Sequence, residues 1–137
     1  MSATETRTRT KTQTMLLAEK CRDAEVKISE THGGFTLFAL IQRESTAGKW
    51  DIVVSAPWLT ERMADMRIIL DGLMPFLSQQ DWMRTAGIVP IDPDTDFVQT
   101  LVALYHIEHG TQLAGQIFTD EIIVDRAVII TANQDAF

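Results

Sequence analysis

Apolar side chains recur at alternating spacings of four and three residues through the middle of the chain. This stripe is formed by Leu59, Met63, Met66, Leu70, Leu73 and Leu77. Such spacing puts apolar residues on one helix face, so it predicts an amphipathic helix over residues 59–76. Thr60 can cap the start of this helix, and Glu61 adds negative charge to its first turn. Pro75 breaks or kinks its end, because proline has no N–H for the helical ladder.

Two apolar runs of strand-forming residues precede this helix. The first, FTLFALIQ, covers residues 35–42, and the second, DIVVS, covers residues 51–55. The polar residues 43–49 between them are typical of a turn, and Pro57 ends the second run. This pattern predicts an antiparallel hairpin over residues 35–55.

A helix start is marked clearly in the second half of the chain. Asp92 stands at a capping position, and Pro93 follows at the first helical position. Apolar residues then recur on one stripe, formed by Phe97, Leu101 and Leu104. Gly110 is a typical helix stop. We therefore predict a helix over residues 92–109.

The remaining apolar segments predict further strands and one short helix. Residues 78–84 resemble a capped helical turn, and residues 88–91 an edge strand. Residues 113–118 and the strongly β-branched run 122–131 predict a second antiparallel hairpin, turning near residues 119–120.

The N-terminal region divides into a polar segment and an amphipathic one. Residues 1–12 alternate threonine with charged residues, which predicts a disordered tail. Residues 13–23 favour a helix. Residues 24–30 fit a helix or a strand equally well, because their apolar residues match both the helical spacing and the alternation of a strand. We expect one α+β domain over residues 13–137: an antiparallel sheet from the two hairpins, covered by two or three helices. The pattern does not set the strand order.

Charge and composition exclude several classes of protein. The net charge is −7, and residues 1–12 carry +2, so the remaining 125 residues carry −9. An acidic body disfavours nucleic-acid binding. No apolar run approaches the roughly 20 residues of a membrane span, so no membrane partner is expected. The start of the chain does not resemble a secretory signal. Cys21 is the only cysteine, and nothing implies an oxidising compartment. We expect a cytoplasmic protein.

Two histidines form the best candidate metal site. His106 and His109 are three residues apart, so on a helix they would share a face and could bind one ion. No pattern in the sequence places a third ligand beside them.

A second hypothesis concerns three charged residues. If residues 24–30 form a strand, Glu25, Lys27 and Asp51 could meet across the sheet, as in metal-dependent nucleases. We treat these three as candidate catalytic residues. No glycine-rich phosphate loop occurs, so no nucleotide or other cofactor is expected.

The long helix offers a candidate interaction surface. It carries Met63, Met66 and Met74, and Trp58 precedes it. Methionine adapts to irregular partners, and aromatic residues are enriched at interfaces. Because no complete catalytic set is present, we expect a non-catalytic interaction or regulatory module. Its partner would be another protein or a second copy in a homodimer. The alternatives are a metal-dependent hydrolase or nuclease, and a binder of small apolar ligands.

Overall fold

The fold is built on a five-stranded sheet with helices on both faces, as given by a computed structural model. The structure describes residues 2–43, 47–59, 63–118 and 123–134, without the side chains of residues 2–12, 63, 118 and 123. The helices are α1 (Ser2–His32), α2 (Met63–Leu73), α3 (Gln79–Met83) and α4 (Asp96–Leu104). The strands are β1 (Leu37–Gln42), β2 (Trp50–Ser55), β3 (Thr85–Pro90), β4 (Gln112–Ala114), β5 (Ile117–Phe118), β6 (Ile123–Val124) and β7 (Arg126–Ala132). Among the described helices, none combines the length and apolar content that a bilayer span requires.

The main sheet is mixed, with the strand order β3-β2-β1-β7-β4. The predicted hairpin over residues 35–55 is confirmed, because β1 and β2 pair antiparallel with Phe38 opposite Val54. However, β3 runs parallel to β2. The helices α2 and α3 lie between these two strands in the chain, and a long helical connection allows parallel pairing. The α+β class is therefore confirmed, whereas the purely antiparallel sheet is wrong.

The predicted second hairpin over residues 113–131 is also wrong in detail. Its outer strands, β4 and β7, do pair antiparallel in the main sheet. The strand run stops at Gly115, a residue that weakens strands, and β5 then pairs with β6 in a separate two-stranded sheet. The predicted turn at residues 119–120 lies outside the described residues.

The main sheet separates two hydrophobic cores. Successive strand residues point to opposite faces. On β1, Phe38 and Leu40 pack toward α1 and α2, while Ala39 and Ile41 pack toward α4. Groups on different faces are thus kept apart by a layer of buried side chains.

Helix α1 settles the open interpretation of residues 24–30, which are helical. The helix continues to His32, and its apolar stripe, formed by Leu17, Cys21, Ala24 and Ile28, is buried against the sheet. Burial of this stripe outweighs the period-two alternation of the same segment. The prediction of a disordered tail over residues 1–12, whose side chains are not described, stays a prediction.

Helix α2 is shorter than the predicted 59–76. Its predicted caps, Thr60 and Glu61, lie outside the described residues. The next element, α3, is capped by Ser78, whose backbone N–H donates to Asp81 Oδ2 at 2.8 Å while its Oγ accepts from the Asp81 N–H at 3.2 Å.

Helix α4 is shorter than the predicted 92–109 at both ends. Its cap is Thr95, because Asp92 instead forms a turn in which its carbonyl accepts the Thr95 N–H. At the other end Tyr105 is extended, and Ile107 pairs with Ala132 beside β7. This pairing takes the place of further helical hydrogen bonds.

Candidate functional site

Asp51 is held in an ion pair within the sheet. It is buried on β2, and its Oδ2 accepts hydrogen bonds from Arg43 Nη2 at 2.6 Å and Arg43 Nε at 3.1 Å. Arg43 directly follows β1, the strand that pairs with β2. The pair therefore ties together one end of the first hairpin.

The structure does not bring the three candidate catalytic residues together. Alternation along β2 puts Asp51 on the same side as Val53, which packs toward α4. Glu25 and Lys27 lie on α1, on the other side of the sheet. Lys27 is exposed, and Glu25 is buried. The strand geometry that motivated this trio is absent, since residues 24–30 are helical.

Glu25 is instead the centre of a hydrogen-bond network. Its side chain is fully buried, with 0% exposure. Its Oε1 accepts from Ser29 Oγ and from Thr131 Oγ1, each at 3.1 Å. Its Oε2 lies 2.5 Å from His109 Nδ1. A buried carboxylate is costly unless it is paired and hydrogen-bonded, and all these contacts offset that cost.

A β-bulge directs Thr131 into this network. On β7, Thr131 lies opposite Phe38 and Ile129 lies opposite Ala39, so Ile130 is an extra residue. Strict alternation from Ile129 would put Thr131 on the α4 face. Because of the bulge, Thr131 faces α1, where Glu25 lies.

His109 is fixed from both its backbone and its ring. Its backbone N–H donates to Thr131 Oγ1 at 3.2 Å, and its φ of 55° lies in the left-handed region. Non-glycine residues in that region are often found at functional sites. In the tautomer that donates from Nδ1 to the Glu25 carboxylate, Nε2 of His109 keeps its lone pair. The His109 side chain is 41% exposed. It therefore forms an oriented base or metal ligand at the protein surface.

The two histidines do not share a helix face. Both His106 and His109 lie beyond the end of α4. His106 is exposed, whereas His109 is turned toward Glu25. Within the described ranges, no group of three or more histidine, cysteine, aspartate or glutamate side chains is arranged to hold a metal ion.

Cys21 is buried within the core between α1 and the sheet. Burial raises the pKa of the Cys21 thiol to about 12. Because the thiolate is the nucleophilic form, this side chain is inert in the folded protein.

The candidate interaction residues have different surroundings. Trp58 is partly buried, and its indole N–H donates to the carbonyls of Gly33 and Gly34. Met66 is partly exposed and Met74 is 57% exposed. Met63 begins α2, and its side chain is not described.

A cleft lies at the carboxyl ends of β2 and β3. After β2 the chain enters α2 on one face of the sheet, and after β3 it enters α4 on the other face. In open α/β sheets, ligands bind where neighbouring parallel strands diverge in this way. The cleft has a volume of about 620 Å³, and its lining includes the apolar residues Pro57, Leu59, Pro90, Ile91 and Pro93 together with Asp92 and Asp94. Ser55, the last residue of β2, is buried, and among the described residues its Oγ has no hydrogen-bond partner.

The Glu25–His109 pair was missed from sequence, although both residues were candidates for other roles. Residues 84 positions apart carry no local pattern that links them. The only available indication was Glu25 itself, a carboxylate beside the apolar stripe that buries Ala24 and Ile28. A charged residue in that position requires a partner.

Known proteins supply no reference for this chain. Comparisons with protein-family models, with curated proteins and with solved structures found no match.

Proposed function

We propose that the protein is a non-catalytic interaction module that self-associates through the surface formed by α1 and α2. The observation that carries this proposal is the apolar outer side of α2. Leu70 is 41% exposed and Met74 is 57% exposed, although the helix buries Ile69 and Leu73 beneath them. Exposed apolar groups that adjoin one another are typical of contact surfaces.

A groove beside these residues extends the apolar surface. It lies between the C-terminal parts of α1 and α2 and has a volume of about 440 Å³. Its apolar walls include Ile68, Pro75 and Phe76, and Ile68 and Phe76 are only partly buried. A side chain of Leu70 or Met74 from a second copy has the right polarity for this groove.

The charges at the groove favour a second copy of this chain as the partner. Lys27 lines it from α1, and Asp71 lines it from α2. A two-fold axis places the same surface patch on both sides of an interface. Lys27 of one copy can then face Asp71 of the other, in each direction. Opposite charges across an interface favour the correct register and suppress wrong partners.

Sedimentation velocity at low micromolar concentration tests this proposal. We expect the wild-type protein to sediment as a dimer and the double variant Leu70→Asp/Met74→Asp as a folded monomer. Leu104→Asp is the matched control, because Leu104 is 63% exposed on α4, across the sheet from α2. This control is expected to remain dimeric. A monomeric wild-type protein, or equal loss of the dimer in both variants, would contradict the proposal.

The Glu25–His109 pair supports a second candidate function, a metal-assisted hydrolase. Metal-ligating histidines almost always donate their other ring N–H to a carboxylate or carbonyl, and His109 has this arrangement. Calorimetric titration with zinc and manganese tests this function. If the protein is such a hydrolase, binding should be saturable, abolished by His109→Gln and retained by the exposed neighbour variant His106→Gln. Absence of binding to the wild-type protein would exclude it.

The cleft at the ends of β2 and β3 supports the third candidate, a binder of small apolar ligands. The prolines, Leu59 and Ile91 in its lining and its place in the fold fit a small ligand with an apolar part. Ligand-observed NMR with a fragment library tests it. If the cleft is the binding site, fragments that bind the wild-type protein should no longer bind the Leu59→Asp variant. Fragments that bind this variant unchanged would indicate a site elsewhere.

A further inference from the structure

A second groove lies at the opposite end of β2, where the strand begins. Its walls come from the middle of α1, from residues 47–49, from the C-terminal end of α3 and from the start of β7. Its volume is about 350 Å³, and polar atoms supply most of its surface. It is distinct from the α1–α2 groove proposed for self-association, since the two share no lining residue.

Three cationic side chains line this groove: Lys49, Arg84 and Arg126. Of the eight lysine and arginine side chains that the structure describes, four lie within ion-pairing distance of a carboxylate. Three of the other four are these groove residues. In a protein of net charge −7, three of the four described cations that lack such a pair therefore gather in one place, and the fourth, Lys27, lines the α1–α2 groove.

The groove is also partly organised in advance. The Arg126 guanidinium lies 5.7 Å from the centre of the Trp50 ring, a cation–π contact that restricts the arginine. The Trp50 backbone N–H donates to the Arg84 carbonyl at 2.8 Å, so the backbone of Arg84 is also held beside Trp50. The lining contains no aspartate or glutamate among the described residues.

We propose that this groove binds a small phosphate-bearing molecule. A phosphate monoester carries nearly two negative charges and several acceptor oxygens, which suits a groove lined by two arginines and a lysine. A single carboxylate would leave most of the positive charge without compensation. A nucleic acid fits less well, because the rest of the body is strongly acidic and repels an extended backbone.

Titration with inorganic pyrophosphate and orthophosphate at low salt tests the proposal. Two-dimensional ¹H–¹⁵N NMR follows the Trp50 indole resonance together with the backbone amides of residues 47–49. We expect saturable shifts at these positions, with pyrophosphate the tighter ligand. The double variant Arg84→Gln/Arg126→Gln is expected to bind pyrophosphate at least about tenfold more weakly. Arg67→Gln is the control for the loss of a positive charge elsewhere on the protein, because Arg67 is highly exposed on α2 and lies outside the groove. It is expected to bind like the wild-type protein.

Three results would overturn the proposal. One is the absence of saturable shifts in the wild-type protein. Another is an equal loss of affinity in the Arg67→Gln control, which would indicate general electrostatic attraction. The third is a single-stranded oligonucleotide that binds the groove more tightly than pyrophosphate, which would assign the groove to nucleic acid. Thermal unfolding of each variant shows whether it remains folded, and the single variants Arg84→Gln and Arg126→Gln replace the double variant if it does not.

Discussion

Glu25 Oε2 and His109 Nδ1 lie 2.5 Å apart although 84 residues separate them in the chain. The contact joins α1 to the segment that follows α4, on the face of the sheet where α1 packs. Thr131 completes a closed ring, since its hydroxyl donates to Glu25 and accepts from the His109 backbone. The network therefore fixes three distant parts of the chain relative to one another.

Replacing Glu25 by alanine is expected to lower the free energy of unfolding by about 3 kcal/mol. The change removes the acceptor of the hydrogen bonds from Ser29, Thr131 and His109, and leaves the buried Thr131 hydroxyl without its acceptor. Urea denaturation at neutral pH measures this loss. Glu30→Ala, an exposed change on the same helix, is the control and is expected to cost less than about 0.5 kcal/mol. Similar losses in both variants would mean that the network adds little to stability.

Replacing Thr131 by valine tests the ring with almost no change of shape. Valine lacks the hydroxyl, so Glu25 loses one donor and the His109 N–H loses its acceptor. We expect a loss of about 1–2 kcal/mol and faster hydrogen exchange at the His109 amide. Thr131→Ser, which keeps the hydroxyl, should preserve the protection of that amide. Unchanged exchange in the valine variant would contradict this account of the bulge.

The contribution of Asp81 to the free energy of unfolding is expected to depend on pH. Burial by itself raises the pKa of this carboxyl, but hydrogen bonds from Lys20 and Ser78 outweigh burial and hold the pKa below its ordinary value of 3.8. The folded state therefore keeps the carboxylate where the unfolded state takes up a proton. The resulting stabilisation is complete above pH 3.8 and is lost as the pH falls through the lower, folded pKa.

The variant Asp81→Asn isolates this effect. We expect the difference in unfolding free energy between the wild-type protein and this variant to shrink as the pH falls below 3.8. Urea titrations at a series of pH values measure the difference. Asp71→Asn, at an exposed position on α2, provides the comparison. A difference that stays constant across the series for Asp81→Asn would refute the predicted linkage.

Close contact between α1 and α2 depends on Gly72. A Cβ atom at this position would lie 2.5 Å from both Cγ1 and Cδ1 of Ile28. Alanine favours a helix over glycine by about 1 kcal/mol, but overpacking of this kind costs about 1–3 kcal/mol. We therefore expect Gly72→Ala to be destabilising overall.

A double-mutant cycle checks the origin of that loss. Ile28→Ala removes both atoms that would clash, so the double variant should lose at least about 1 kcal/mol less than the two single losses combined. Gly115→Ala is the control, since a Cβ atom there meets nothing within 4 Å. Additive losses would show that the contact with Ile28 is not the cause.

The amphipathic stripe on α2 shows how far periodicity can predict packing. The helix itself was correctly predicted, yet Leu70, a stripe residue, is 41% exposed, while Ile69, which was not in the stripe, is fully buried. An α-helix has 3.6 residues per turn, whereas alternating spacings of four and three average about 3.5 residues. The predicted stripe therefore drifts slowly around the helix surface. Which side becomes buried depends on where α1 packs, and the local pattern carries no such information.

The two histidines show the same limit at the candidate site. The stripe of Phe97, Leu101 and Leu104, followed by Gly110 as a helix stop, predicts a helix through both histidines, but the chain leaves the helix after Leu104. Ile107 forms backbone hydrogen bonds with Ala132 instead. Strand pairing with a distant segment competes with helix propensity, and only the tertiary structure decides which one prevails.

The sequence by itself determined the features whose causes are local. These are the β1–β2 hairpin, the capped helical turn at residues 78–84, and the helical period of α2 and of residues 13–23 in α1. The tertiary structure alone decided the parallel pairing of β3, the bulge at Ile130, and the meeting of Glu25 with His109. Each of these depends on contacts between segments far apart in the chain. Their free energy comes from burial and pairing that no short window of residues records.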